Sequence, residues 1–292
     1  MNSLPPQKHK NKTRSVSLVL FFVLFIPVVP VWPENLIQVE QGGVARLTVS
    51  PGEGVRSVSG WFNGKTIPHF EREPGEFVAI VGIDMDQTPG RLFFVSSWEK
   101  AGQTIEQERQ IEVRAAKFGL QELTLPKNKV DLDPPTLLRV KEEKDLMDAA
   151  FVASLGERLW KGAFIAPVKG KPQHTFGRRR LINGKPRRAH TGEDISAPVG
   201  TPILATNHGK VVLVADFFFN GRSIVIDHGL GLFSLYFHLS EIDVAEGQEV
   251  KGGGQIGRVG KSGRVTGPHL HWGMRLNGIN VNPYAFVETR LD

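Results

Sequence analysis

The sequence predicts a mostly β chain: a small N-terminal β-sandwich, a connecting helix and a C-terminal antiparallel β-sheet domain. Three observations carry this reading. Short strand-like runs separated by turn residues fill residues 34–115. Apolar residues then take helical spacing among Lys and Glu from Leu137 to Leu155. From Phe164 onward β-branched runs alternate with glycine turns, and no helical period of any length is seen. At 292 residues the chain is long enough for each β region to bury its own core.

Residues 1–33 read as a targeting segment. They hold Lys8, Lys10, Lys12 and Arg14 and no acid, so four of the +6 net charges lie there and the remainder carries +2. The basic balance thus belongs to the N-terminus, and we expect no nucleic-acid partner. Val16 to Trp32 is a run of 17 uncharged residues, and Pro27, Pro30 and Pro33 break up its end, which a core helix does not tolerate. Position and flanks fit an export signal. No small residue stands where a cleavage site needs one, so a membrane anchor through residues 16–32 stays open, at the short limit for spanning. Either way the positive flank places the rest outside the cytoplasm. The absence of cysteine removes disulfides, thiolate nucleophiles and Cys-type zinc sites.

In residues 34–115, Val44–Val49 and Phe77–Val81 are strand-like, Asn63-Gly64 is a hairpin signal, and Thr88-Pro89-Gly90 turns the chain before Leu92–Val95. His69 is isolated, and the region reads as an accessory domain. In residues 116–160, Asp133-Pro134-Pro135 opens the connecting helix. A sharper expectation is that this helix limits access to a site in the C-terminal half. In residues 161–292, Thr201–Ala205, Lys210–Val214 and Ser223–Asp227 are the clearest strands.

The chemistry concentrates in that last region. His269 and His271 sit at i and i+2, so on a strand they share one face while Leu270 turns into the core. His190 and Asp194 form a His-x-x-x-Asp upstream. One imidazole of the His-x-His could bind a metal while its neighbour reaches a water on it, with His190 and Asp194 as further ligands. Three protein ligands and an open position make a catalytic rather than a structural site.

The segments around these residues, His190-Thr-Gly-Glu-Asp194-Ile-Ser-Ala-Pro-Val-Gly-Thr-Pro202, Tyr236-Phe-His238-Leu239, Gly267-Pro-His269-Leu-His271 and Asn282-Pro283, resemble those of the lysostaphin/LytM-type zinc metallopeptidases. The resemblance covers roughly residues 164–286. It implies that His190, Asp194 and His271 hold one Zn²⁺, and that His238 and His269 are the catalytic pair beside the metal-bound water. One imidazole would take a proton; the other would steady the oxyanion or protonate the leaving amine. The sequence does not divide those roles. The resemblance further implies an exported endopeptidase that works in an open groove on peptidoglycan cross-links or stem peptides. The alternative is a non-catalytic wall-binding regulator of other hydrolases.

Some positions depart from that pattern. Glu193 stands where an apolar residue is usual and is expected to face outward. Gly254 replaces a residue that is usually polar. The tyrosine that some relatives place shortly before the first ligand is missing, since none occurs between Lys161 and His190. His228 reads as a structural turn residue, while His174 and His208 have no assignment. Arg178, Arg179, Arg180, Arg187 and Arg188 read as a solvated loop, with attraction of a carboxylate-bearing peptide or anionic wall polymer as the functional alternative.

Overall fold

The computed structural model describes residues 36–152 and 154–289. The signal or anchor expected in residues 1–33 lies outside them. Among the described residues, no helix is long and apolar enough to cross a membrane.

The first seven strands are β1 (Leu36–Glu40), β2 (Val44–Val49), β3 (Ser59–Phe62), β4 (Lys65–Glu73), β5 (Glu76–Gly82), β6 (Gly90–Lys100) and β7 (Gln103–Arg114). They form one sheet in the order β1-β7-β6-β3-β4-β5-β2. The long β4 pairs with β3 through Lys65–Pro68 and with β5 through His69–Glu73, so it carries the sheet from one layer to the next. Between the layers lie Leu47, Phe62, Ile67, Ala79, Val81, Phe94, Ile111 and Val113. The alternation of β2 is what period 2 demands, with Ala45, Leu47 and Val49 inward. Asn63 and Gly64 join β3 to β4 with φ of 46° and 77°, the left-handed pair that a two-residue hairpin needs.

The connecting region is less purely helical than its sequence predicts. Leu120–Leu123 forms β8, which pairs in parallel with Arg179–Ile182 further along the chain. A single 3₁₀ turn at Lys127–Lys129 follows, then helix α1 (Pro134–Val152). The Asp133 carboxylate accepts from the Thr136 amide at 2.9 Å and caps α1. No residue of α1 is fully buried. Its Met147, Ala150 and Phe151 rest on Leu213, Phe217, Val225, Phe233, Leu235 and Phe237 of the C-terminal sheet.

The C-terminal strands are β9 (Lys171–Pro172), β10 (Arg179–Ile182), β11 (Lys185–Arg187), β12 (Glu193–Ser196), β13 (Pro202–Leu204) and β14 (Gly209–Phe217). Then come β15 (Gly221–Gly229), β16 (Leu232–Ile242), β17 (Glu249–Val250), β18 (Gln255–Val259), β19 (His269–Leu276) and β20 (Ile279–Val281). Ten of them make a sheet whose main path is β17-β14-β15-β16-β19-β12-β9, while β8, β10 and β11 make a small sheet of their own. A short helix α2 (Pro283–Glu288), capped by Asn282, follows β20 where the sequence pattern gave no helical period. Six residues are too few to display one.

One face of the large sheet is dry. Ile195, Ile224, Tyr236, Leu239, Leu270, Trp272 and Met274 meet there, and Phe70, Val78 and Ile80 of β4 and β5 join the same cluster. The other face carries the α1 contacts and, by strict alternation along β19, His269 and His271.

His228 is fully buried, with Nδ1 2.7 Å from the His208 carbonyl and Nε2 2.8 Å from Ser234 Oγ. Burial pulls its pKa down to about 4. A folded pKa below the unfolded one means that the unfolded chain takes up the proton first. The stability His228 contributes is complete above about pH 6.5 and falls toward pH 4 at ~1.4 kcal/mol per pH unit. Urea melts at pH 7.5 and 5.0 should therefore differ by about 2 kcal/mol more in the parent chain than in His228→Asn. An equal loss in the two proteins counts against it.

Candidate metal centre

Strand β12 pairs antiparallel with β19 so that Asp194 lies opposite His271 and Ser196 opposite His269. His190, just ahead of β12, is held by its amide on the Arg178 carbonyl at 2.9 Å and its carbonyl on the Gly177 amide at 2.8 Å. Three ligand atoms converge as a result. His190 Nε2 is 2.7 Å from His271 Nδ1 and 3.2 Å from Asp194 Oδ1, and His271 Nδ1 is 3.1 Å from that same oxygen. All three residues are buried. Tetrahedral zinc with bonds of about 2.0–2.1 Å sets its ligands roughly 3.3 Å apart, a spacing that two edges of this triangle approach and the His190–His271 edge falls short of.

The surroundings fix the triad. The Phe237 ring, from β16, stacks on His271 at 5.2 Å and 4°. A Cβ on Gly192 would stand 2.6 Å from His271 Nε2, so only glycine leaves room for that ring. The Asp194 amide donates to Thr175 Oγ1 at 2.9 Å. Burial works to raise the Asp194 carboxyl, but hydrogen bonds from His190 and His271 outweigh it and hold the group well below the usual carboxylate range. Burial also pulls His190 down to about 4, against the pull of Asp194. Asp194 thus presents a carboxylate and His190 a neutral imidazole, the forms that bind a metal.

His269 and His238 border the same spot. His269 Nδ1 donates to the Gly267 carbonyl at 2.9 Å, and its Nε2 lies 3.6 Å from Asp194 Oδ1. His238 Nδ1 donates to the Ser262 carbonyl at 3.0 Å in the same way. The two rings lie 4.9 Å apart, with His238 6.2 Å from His271. On a regular strand Phe237 and His238 would point to opposite faces. His238 instead takes φ of 70°, at a bulge where the β15–β16 register shifts, and both side chains reach the site face. Burial, then repulsion from His269 and His271, pulls His238 down to about 3.

Glu193 departs from its expected place. It is 2 % exposed rather than outward-facing, and it accepts from the Thr175 amide at 3.0 Å and the Phe176 amide at 3.4 Å. It shares a side of β12 with Ile195, the dry face, where the chain at Thr175 and Phe176 closes over it. There Glu193 ties down the loop whose Thr175 supports Asp194, although burial raises its own pKa. Sequence reasoning also missed Arg180, whose Nη2 stands 3.9 Å from Asp194 Oδ2. Its only signal was the basic run.

Residues 188–283 match the model of peptidase family M23. The peptidoglycan DD-endopeptidase ShyA of Vibrio cholerae is 38 % identical over 138 residues, covering 46 % of this chain and 32 % of that protein. The DD-carboxypeptidase/endopeptidase Mpg of Neisseria meningitidis is 47 % identical over 98 residues, 34 % of this chain and 23 % of the relative. A crystal structure of a putative peptidase M23 from Pseudomonas aeruginosa superposes with a TM-score of 0.66 at 31 % identity, over 85 % of this chain and 94 % of that one. The chain belongs to peptidase family M23. It spans about a third or less of the length of those two curated relatives. The M23 match runs from just before His190 to just after Asn282 and takes in all five residues of the site.

Zinc binding by this M23 chain should be stoichiometric, one ion per chain by elemental analysis. His271→Ala and Asp194→Asn should each weaken it more than about 100-fold in competition with a chelator, while His228→Asn retains the ion. Full zinc occupancy in His271→Ala under chelator would exclude the triad as the ligand set.

Proposed function

We propose that the chain is an exported zinc endopeptidase that hydrolyses peptide bonds in peptidoglycan cross-links or stem peptides. The observation that carries this is the meeting of a buried His-Asp-His triad with two further imidazoles whose Nδ1 atoms are anchored on backbone carbonyls. The names of the relatives, a peptidoglycan DD-endopeptidase and a DD-carboxypeptidase/endopeptidase, point to the same substrate.

His190 Nε2, Asp194 Oδ1 and His271 Nδ1 would hold the metal. Zinc there would supply Lewis acidity and bring the pKa of a water toward ~7. His269 Nε2 and His238 Nε2 stand ready as general base and as the group that steadies the oxyanion or returns a proton to the leaving amine. Their anchored Nδ1 atoms keep both rings in one tautomer and one orientation. The burial that depresses His238 keeps it neutral, so it can receive a proton but does not hold one at rest. In an open groove an extended substrate would pair through its backbone. Work on peptidoglycan places the protein in the cell envelope, in keeping with its basic and then apolar beginning, with anchoring through residues 16–32 as part of this proposal. The non-catalytic regulator reading is disfavoured by the complete donor set.

Purified sacculi digested with the zinc-loaded chain should lose cross-linked muropeptides and gain monomers. His269→Ala should cut the rate about 10²–10⁴-fold while still binding one zinc. A zinc-loaded parent chain that leaves the muropeptide profile unchanged would overturn the proposal.

A further inference from the structure

The basic run that precedes His190 divides into two parts in the fold. Arg178 is spent on structure: its Nε and Nη2 donate to the carbonyls of His174 and Gln173 at 2.9 and 3.0 Å. Arg180 and Arg187 are different. They face each other across the β10–β11 hairpin as a cross-strand pair. Like charges in that position destabilise a hairpin.

Arg264, from the loop that also supplies the Ser262 carbonyl, comes close enough to both for their charge to depress its ionisation, after the larger effect of burial. Among the described residues no Asp or Glu forms an ion pair with Arg187 or Arg264, and Arg180 has only Asp194, at 3.9 Å. That carboxylate already accepts from His190 and His271.

Two of the three guanidinium groups are held in place by neutral partners. Arg180 Nε donates to Gln121 Oε1 of β8 at 2.8 Å. Arg264 lies over the Phe219 ring at 3.9 Å and donates Nη1 to the Lys129 carbonyl at 3.3 Å. Arg187 is exposed and free to swing. Three neighbouring cations, of which only Arg180 stands near an acid, are a costly arrangement unless an anion completes it.

We propose that Arg180, Arg187 and Arg264 form a binding site for a substrate carboxylate beside the metal triad, so that the enzyme selects peptides with a free carboxylate next to the scissile bond. This rests on the endopeptidase reading. Guanidinium forks suit carboxylates, and fixing two of them in advance lowers the ordering cost of binding. A neutral glycine bridge offers nothing to this site. A cross-link through a diamino acid with its carboxyl group free does.

The test uses the zinc-loaded full chain and two cross-linked peptides that differ only in having a free carboxylate or a carboxamide on that diamino acid. The parent chain should prefer the carboxylate at least about tenfold in kcat/KM, mostly through KM, and 0.5 M salt should narrow the margin. Arg187→Gln, an exposed change that leaves the fold intact, should collapse the ratio, and Arg187→Lys should restore part of it. Equal use of both peptides by the parent chain, or an undiminished ratio in Arg187→Gln, overturns the proposal. If the parent cleaves neither peptide, it is the endopeptidase reading that fails. Calorimetric binding of the two peptides then decides the site alone: tighter binding of the carboxylate supports it, and equal binding overturns it.

Discussion

The register of β12 against β19 is the constraint on which the rest of the site depends. It sets Asp194 opposite His271, and a slip of one residue would turn Asp194 toward the covered face and bring Glu193 to the metal side. The register is held by what lies behind it. Leu270, Trp272 and Met274 are fully buried on the dry face, so β19 cannot shift without exposing them. Once β19 is placed, its alternation delivers His269 to the same side as His271. Phe237, opposite His271 on β16, then stacks on the ring.

A second device works against regularity. His238 reaches the site because the chain adopts a left-handed conformation that a β strand normally reserves for glycine. Such backbone strain persists only where the surroundings enforce it. Here the His238 amide donates to the Asn220 carbonyl at 2.9 Å, and the ring is tied to the Ser262 carbonyl. Ser262 Oγ in turn donates to the Leu239 carbonyl at 2.8 Å. The residue is thus gripped at backbone and side chain, while Tyr236 and Leu239 on either side remain in the core.

Much of this was legible in the sequence, and the limits have a common physical origin. Apolar and β-branched runs revealed β2, β5 and β15, Asn63-Gly64 revealed its turn, and the His-x-His spacing fixed a shared face, because each depends only on neighbours along the chain. What stayed hidden depends on partners far away. Leu120–Leu123 becomes a strand because β10 lies beside it, some 60 residues on. Glu193 is buried because the chain at Thr175 and Phe176, some 18 residues earlier, closes on its carboxylate. Arg180 reads as one arginine among several until β10 turns it toward Asp194. Nothing in Tyr236-Phe-His238-Leu239 reveals the bulge either, since no glycine marks it.

The distance along the chain between the partners of the triad has a bearing on biosynthesis. His271 lies 77 residues beyond Asp194 and 81 beyond His190. Pairings of such long range form slowly, because the intervening chain must be ordered first. A polypeptide growing from its N-terminus therefore has no complete donor set until nearly the last strand has been made. On the proposed reading, a chain that stops before residue 271 would lack one of the three metal donors, and the order of synthesis would itself delay the hazard of a bond-cutting activity.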